Sequence, residues 1–155
     1  MSKKKQLTKE FIEYIKDQKR SQYLDAKLKN SHIDISEFNE DSFFICIHEI
    51  SDIIDKKRIF CLQNPISLGK DSGINQYFTI EPAADNVQCE FFMNNGGVFV
   101  KAVSAMIPTK IKASVKSGST QLAPGSSQQL KAGNCVEIGK TNFEIHLYSR
   151  ARGIF

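Results

Sequence analysis

The sequence has no long apolar run. Its longest, residues 43–47 (FFICI), is far short of the roughly 20 residues that span a bilayer, so no membrane-crossing helix is expected. A secretory leader is also missing. Residues 1–6 read Met-Ser-Lys-Lys-Lys-Gln and lead into polar, charged sequence with neither an apolar core nor a small-residue cleavage site. The expectation is an intracellular protein, cytoplasmic or cytoskeletal. Cysteine is scarce: Cys46, Cys61, Cys89 and Cys135 stand apart from one another inside apolar alternation, which predicts buried reduced thiols and no disulfide framework. No Cys-x-x-Cys or His-x-x-x-His pair exists, and His32, His48 and His146 each sit alone, so no metal site and no cofactor are expected.

The usual motifs of catalysis are missing too. There is no Gly-x-Ser-x-Gly elbow, and no cysteine has a histidine beside it in sequence. Gly139-Lys140-Thr141 resembles the end of a phosphate loop, but the nearest upstream glycine, Gly133, lies one residue too far away. The residues between them are strand-like, and 143–147 alternates as a strand where a phosphate loop needs a helix. The chain reads as a non-enzyme.

What is present divides into two textures. The chain has 155 residues, enough for one domain with a real core, and its 41% hydrophobic and 25% charged content is that of a soluble globular protein. Residues 1–30 hold nine Lys and Arg against four Asp and Glu, whereas the remainder holds twelve against thirteen, so the arm is basic and the body is neutral. In the arm, Leu7, Phe11 and Ile15 recur every four residues with Ile12 beside them, and Thr8 is a fitting N-cap, which predicts an amphipathic helix that breaks near Ser21. Residues 1–41 are therefore assigned to a basic helical arm and a polar linker.

From Ser42 onward, short Phe-, Ile- and Val-rich segments alternate with turn residues. Strands are predicted at 43–50, 58–63, 66–68, 77–80, 87–93, 98–103, 110–115, 135–138 and 143–148. Asn94-Asn95-Gly96-Gly97 predicts a tight hairpin, because Asn and Gly tolerate positive φ. Residues 117–129 (SGSTQLAPGSSQQ) read as a surface loop. The sum is an all-β sandwich over 42–148, followed by a tail at 149–155.

Four landmarks within that body carry a resemblance. They are Leu68-Gly69-Lys70 with Asn75 after it, Asn86-Val87-Gln88-Cys89 ahead of the hairpin, the Leu122-Ala123-Pro124-Gly125 run, and 133–139 (GNCVEIG). In order and spacing these are similar to the forkhead-associated (FHA) family, a β-sandwich that binds phosphothreonine peptides through loops at one end. The resemblance implies that the family's phosphate-gripping arginine is replaced here by Lys70. It places Asn86 at the family's serine, Cys89 at the histidine that supports the loop, and Ile107-Pro108-Thr109 at the Asn-Gly that holds the peptide backbone. Lys70 keeps the charge but lacks the planar bidentate fork of arginine.

The expected function is that of a non-catalytic protein interaction module or scaffold subunit that docks largely without phosphate. A phosphothreonine site at Lys70, Asn86 and Thr109 is the alternative. Attachment of the basic arm, Lys3 to Lys29, to nucleic acid or an anionic surface is the more remote one, since four acids interleave with its bases. Leu7, Phe11, Ile12 and Ile15, with Ile154 and Phe155 at the other end, are expected to meet a protein partner within a larger complex.

Overall fold

The computed structural model describes residues 43–149 and the backbone of 153–154. The predicted arm, including Leu7, Phe11, Ile12 and Ile15, lies outside the described residues, as do Phe155 and the side chain of Ile154. Every described element is a strand, and among the described residues no helix is long and apolar enough to cross a membrane.

The strands are β1 (Phe43–Ile50), β2 (Asp55–Cys61), β3 (Ile66–Gly69), β4 (Tyr77–Phe78), β5 (Cys89–Asn94), β6 (Gly97–Ala102), β7 (Thr109–Lys112), β8 (Ser119–Leu122), β9 (Ser127–Leu130), β10 (Cys135–Ile138), β11 (Thr141–Ser149) and β12 (Gly153–Ile154). They form two sheets. The larger runs β2-β1-β11-β10-β7-β8, with β12 also against β11, and the smaller runs β4-β3-β5-β6-β9. The body is the all-β sandwich that the alternation predicted.

Period-two patterning decides which side chains go inside. Ile45 and Ile47 of β1, Phe143, Ile145 and Leu147 of β11, and Val136 and Ile138 of β10 face Leu68, Cys89, Phe91, Val98 and Val100 of the smaller sheet across one dry core. Cys46, Cys89 and Cys135 are buried and Cys61 half-buried, all as free thiols. Burial, aided by the neighbouring Glu90, pushes the Cys89 thiol up to about 12, and burial raises Cys135 to about 11. Both are protonated at neutral pH, so neither is an activated nucleophile. Asn95 and Gly96 adopt positive φ, 52° and 77°, in the two-residue turn between Asn94 and Gly97, as the hairpin motif requires.

Two expectations change. Residues 117–129 are not one surface loop, because they contain β8 and β9, which lie on different sheets with a turn at 123–126 between them. Each of these strands ends its sheet and pairs on one side only, so each needs just one inward apolar residue, Leu122 and Leu130, and is otherwise polar and exposed. Alternation of hydrophobicity cannot reveal such strands. The strand expected at 77–80 is only Tyr77–Phe78, because its parallel partner β3 ends at Gly69, whose carbonyl takes the Thr79 N–H as the last bond of the ladder, and Pro82 follows with no N–H to continue it.

Candidate functional site

The landmark residues meet at one end of the sandwich. Gly69 closes β3 where the chain 85–88 crosses it: a Cβ there would lie 2.2 Å from the Asn86 carbonyl oxygen, so only glycine permits the approach. The crossing is laced by backbone bonds from Lys70 N–H to Asp85 O (2.9 Å) and from Gln88 N–H to Leu68 O (2.8 Å). Asn75 clamps it from the side, its amide donating to the carbonyls of Asp71 (2.8 Å) and Asn86 (2.6 Å).

Next to this crossing lies an open groove of about 480 Å³. Its walls are 82–85 on one side and 106–108 on the other, with Lys70, Lys110 and Gly139 between them. Both walls are held from beneath. Glu81, buried, accepts from the Thr141 hydroxyl and from the Ala83 N–H (3.0 Å), which shapes the first wall. Ser104 accepts from the N–H groups of Met106 (3.2 Å) and Ile107 (2.9 Å) and donates its own proton to Asp85 (2.7 Å), which shapes the second.

Gln88 joins the two. Fully buried, it donates through Nε2 to the Ile107 carbonyl (2.9 Å) and to Thr109 Oγ1 (2.8 Å), while its Oε1 accepts from Asp85 N–H (2.8 Å). Replacing Gln88 with Ala leaves these buried or half-buried groups without partners. A stability loss of about 2–3 kcal/mol is expected, together with faster hydrogen exchange at the Asp85 N–H, which Gln88 binds. Unchanged exchange there would remove Gln88 from this role.

The electrostatics centre on Asp85. The Ser104 hydroxyl, the Asn86 N–H and the Lys70 charge together hold its carboxyl below the usual aspartate range. It therefore stays anionic where an ordinary aspartate takes up a proton. The anchor it provides is complete at neutral pH and is lost only as pH falls through that lowered value. Lys70 is exposed and reaches the Pro82 carbonyl at 3.3 Å.

No protein-family model matches the sequence, and no curated protein matches it. Solved structures do match in three dimensions. An FHA domain of an Arabidopsis thaliana hypothetical protein superposes with TM-score 0.55 at 13% identity, covering 67% of this chain and 83% of that one. One from Chlamydia trachomatis gives 0.52 at 11%, covering 67% and 95%. Mycobacterium tuberculosis EmbR, solved with a low affinity phosphopeptide, gives 0.51 at 12%, covering 66% and 24%. The chain has the fold of a forkhead-associated domain.

On that fold the sequence-level assignments shift. Lys70, Ile107 and Pro108 line the groove. Thr109 does not: it is 1% exposed, and its hydroxyl is taken by Gln88, so it is unavailable to a peptide. Cys89 lies in the central core and supports no loop. The loop 85–88 is instead held by Gln88, one residue earlier, through its bonds to the Asp85 N–H, the Ile107 carbonyl and Thr109 Oγ1. Asn86 is exposed and makes no side-chain hydrogen bond among the described residues; its N–H is bound by Asp85 (2.8 Å), so the turn is closed by the aspartate side chain. Asp85, Gln88 and Lys110 were missed because their neighbours are distant in sequence: Asp85 is bridged to Ser104 nineteen residues away, and Gln88 to Thr109 twenty-one residues away.

His48 and His146 are bound by Asp55 and Glu144 on the outer face of the larger sheet. Among the described residues no group of three His, Cys, Asp or Glu could hold a metal ion.

Proposed function

We propose that this FHA fold is a non-catalytic interaction module whose loop-end groove docks a protein segment without requiring phosphate. One observation carries the reading: a carboxylate, Asp85, held in its charged state, lines the groove together with Lys70. A phosphothreonine dianion would meet that charge, whereas an unphosphorylated segment would not. The remaining lining favours apolar contact. Pro82, Ala83, Ala84, Met106, Ile107 and Pro108 line the groove, and Met106 is 86% exposed. An exposed apolar wall with few polar points is the composition of a docking site for a partner side chain.

The opposing reading, a phosphothreonine reader, draws on Lys70, Lys110 and the unengaged amide of Asn86, and on EmbR having been solved with a phosphopeptide. The two separate in one experiment. Tagged full-length protein is used to recover its partners with and without phosphatase, beside Lys70→Ala and Met106→Asp. Recovery is expected to survive phosphatase and Lys70→Ala, and to fall about tenfold or more with Met106→Asp. Loss on phosphatase treatment together with loss in Lys70→Ala would establish the phosphate-dependent reading instead.

A further inference from the structure

Three charged side chains line the groove at the loop end, Lys70, Asp85 and Lys110, and a fourth, Glu81, is buried behind its first wall. All but one are engaged by the fold itself. Asp85 accepts from the Ser104 hydroxyl (2.7 Å) and from the Asn86 N–H (2.8 Å). Lys70 donates to the Pro82 carbonyl at 3.3 Å, and its charge acts on Asp85. Glu81 takes the Thr141 hydroxyl and the Ala83 N–H. Lys110 is different. It is half-buried in β7, and among the described residues its side chain makes no hydrogen bond and no ion pair.

The strand register shows why Lys110 is left over. Glu137 of β10 lies directly opposite it in the ladder, and opposite charges on facing strands attract. The Glu137 carboxylate is bound instead by Lys112 at 3.0 Å. The same Lys112 ammonium is held by the Val115 carbonyl (3.1 Å) and by Asn142 Oδ1 (3.0 Å), and its side chain is only 11% exposed. Three acceptors use all three ammonium protons, so this clamp is complete and keeps Glu137 from Lys110. An ammonium drawn partly out of water without a counter-charge costs free energy, which an incoming anion offsets.

We infer that the segment docked in this groove carries an aspartate or glutamate that Lys110 binds, close to an apolar side chain that packs on Met106, Ile107 and Pro108. The inference rests on the phosphate-free docking proposed above and names the chemistry of the docked segment. A carboxylate suits the groove better than a phosphate, because it brings one negative charge where a phosphate brings about two, and Asp85 is already there. Size sets the spacing. A groove of about 480 Å³ takes only a short extended stretch, so the acid and the apolar residue lie within about three positions of each other, ~10 Å along an extended chain.

The test selects a phage-displayed library of random peptides, which carry no phosphate, on the full chain, and then titrates the enriched peptides against the parent and its variants. Peptides that lose binding in Met106→Asp are expected to share an Asp or Glu within about three positions of an apolar residue. Lys110→Glu is expected to weaken them about tenfold, and changing the peptide's acid to Lys is expected to restore most of that loss. Misfolding cannot imitate such a charge swap. Peptides that depend on Met106 but share no acid, or that are indifferent to Lys110→Glu, would overturn this inference and leave the docking proposal standing. An acid that responds to Lys70→Ala and not to Lys110→Glu would overturn it too. If no enriched peptide depends on Met106, the docking proposal falls and this inference with it.

Discussion

Replacing Glu49 with Ala is expected to remove about 3–5 kcal/mol of stability, a large part of the roughly 5–15 kcal/mol that holds a domain of this size together. Glu49 is fully buried in β1 on the core side, a position where alternation calls for an apolar residue. Its two oxygens accept from the Tyr77 hydroxyl (2.8 Å) and the Thr79 hydroxyl (2.7 Å), both on residues that are themselves fully buried, and Lys56 approaches at 3.7 Å. Thr79 Oγ1 in turn accepts from the Glu81 N–H (3.1 Å), so the carboxylate ties β1 to the segment that shapes the groove.

Truncation strands two buried hydroxyls at about 1–3 kcal/mol each and leaves a void beside the Tyr77 ring. That ring packs against Phe60 and Phe143, with Lys56 and Arg58 set over it at 5.3 and 5.5 Å. Burial and the Glu49 charge both push the Tyr77 phenol up, which keeps it a donor to Glu49 across the whole working pH range. Glu49→Gln keeps one acceptor oxygen and is expected to lose less than half as much. Urea denaturation measures both. An alanine variant within about 1 kcal/mol of the parent would show that the network does not hold the fold.

The second large effect is a gain. Parent protein is expected to bind a phosphothreonine peptide no better than its unphosphorylated form, and Lys70→Arg combined with Asp85→Ser is expected to favour the phosphorylated form about a hundredfold. A dianion within ~6 Å of a carboxylate, at an effective dielectric of ~40, is repelled by about 3 kcal/mol, which is about that factor. Arginine then adds the bidentate fork that lysine lacks. Asp85 also holds Ser104 (2.7 Å), so Asp85→Asn, which drops the charge and keeps an acceptor, serves as the companion variant. Calorimetric titration at two salt concentrations reads the outcome. A parent that already prefers the phosphopeptide, or variants that gain nothing, would show that Asp85 does not set the selectivity.

The sandwich was legible because its strands are half-buried and alternate, as 143–148 does, or end in turn residues with a steric preference, as Asn95 and Gly96 do. The edge strands β8 and β9 were not, since a strand paired on one side and wet elsewhere carries a single apolar residue and looks like loop sequence. Thr109 was misjudged because its hydroxyl is spent on a buried glutamine twenty-one residues earlier, a contact no local pattern encodes.

Sequence by itself determined the all-β class, most strand positions, the hairpin and the buried thiols. Each of these follows from spacing along the chain, where periodicity and turn chemistry act over a few residues. Tertiary structure decided which side chains stand in the groove, that Asp85 and Lys70 both line it, that Gln88 joins the two walls, and that Phe44 and Tyr148 are dry on a face alternation would leave wet. The physical reason is the same throughout: charge repulsion, hydrogen bonding and burial depend on distance in space, and residues 70, 85 and 104 become neighbours only when β3, β5 and β6 pair in the smaller sheet, with Lys110 added when the larger sheet packs against it.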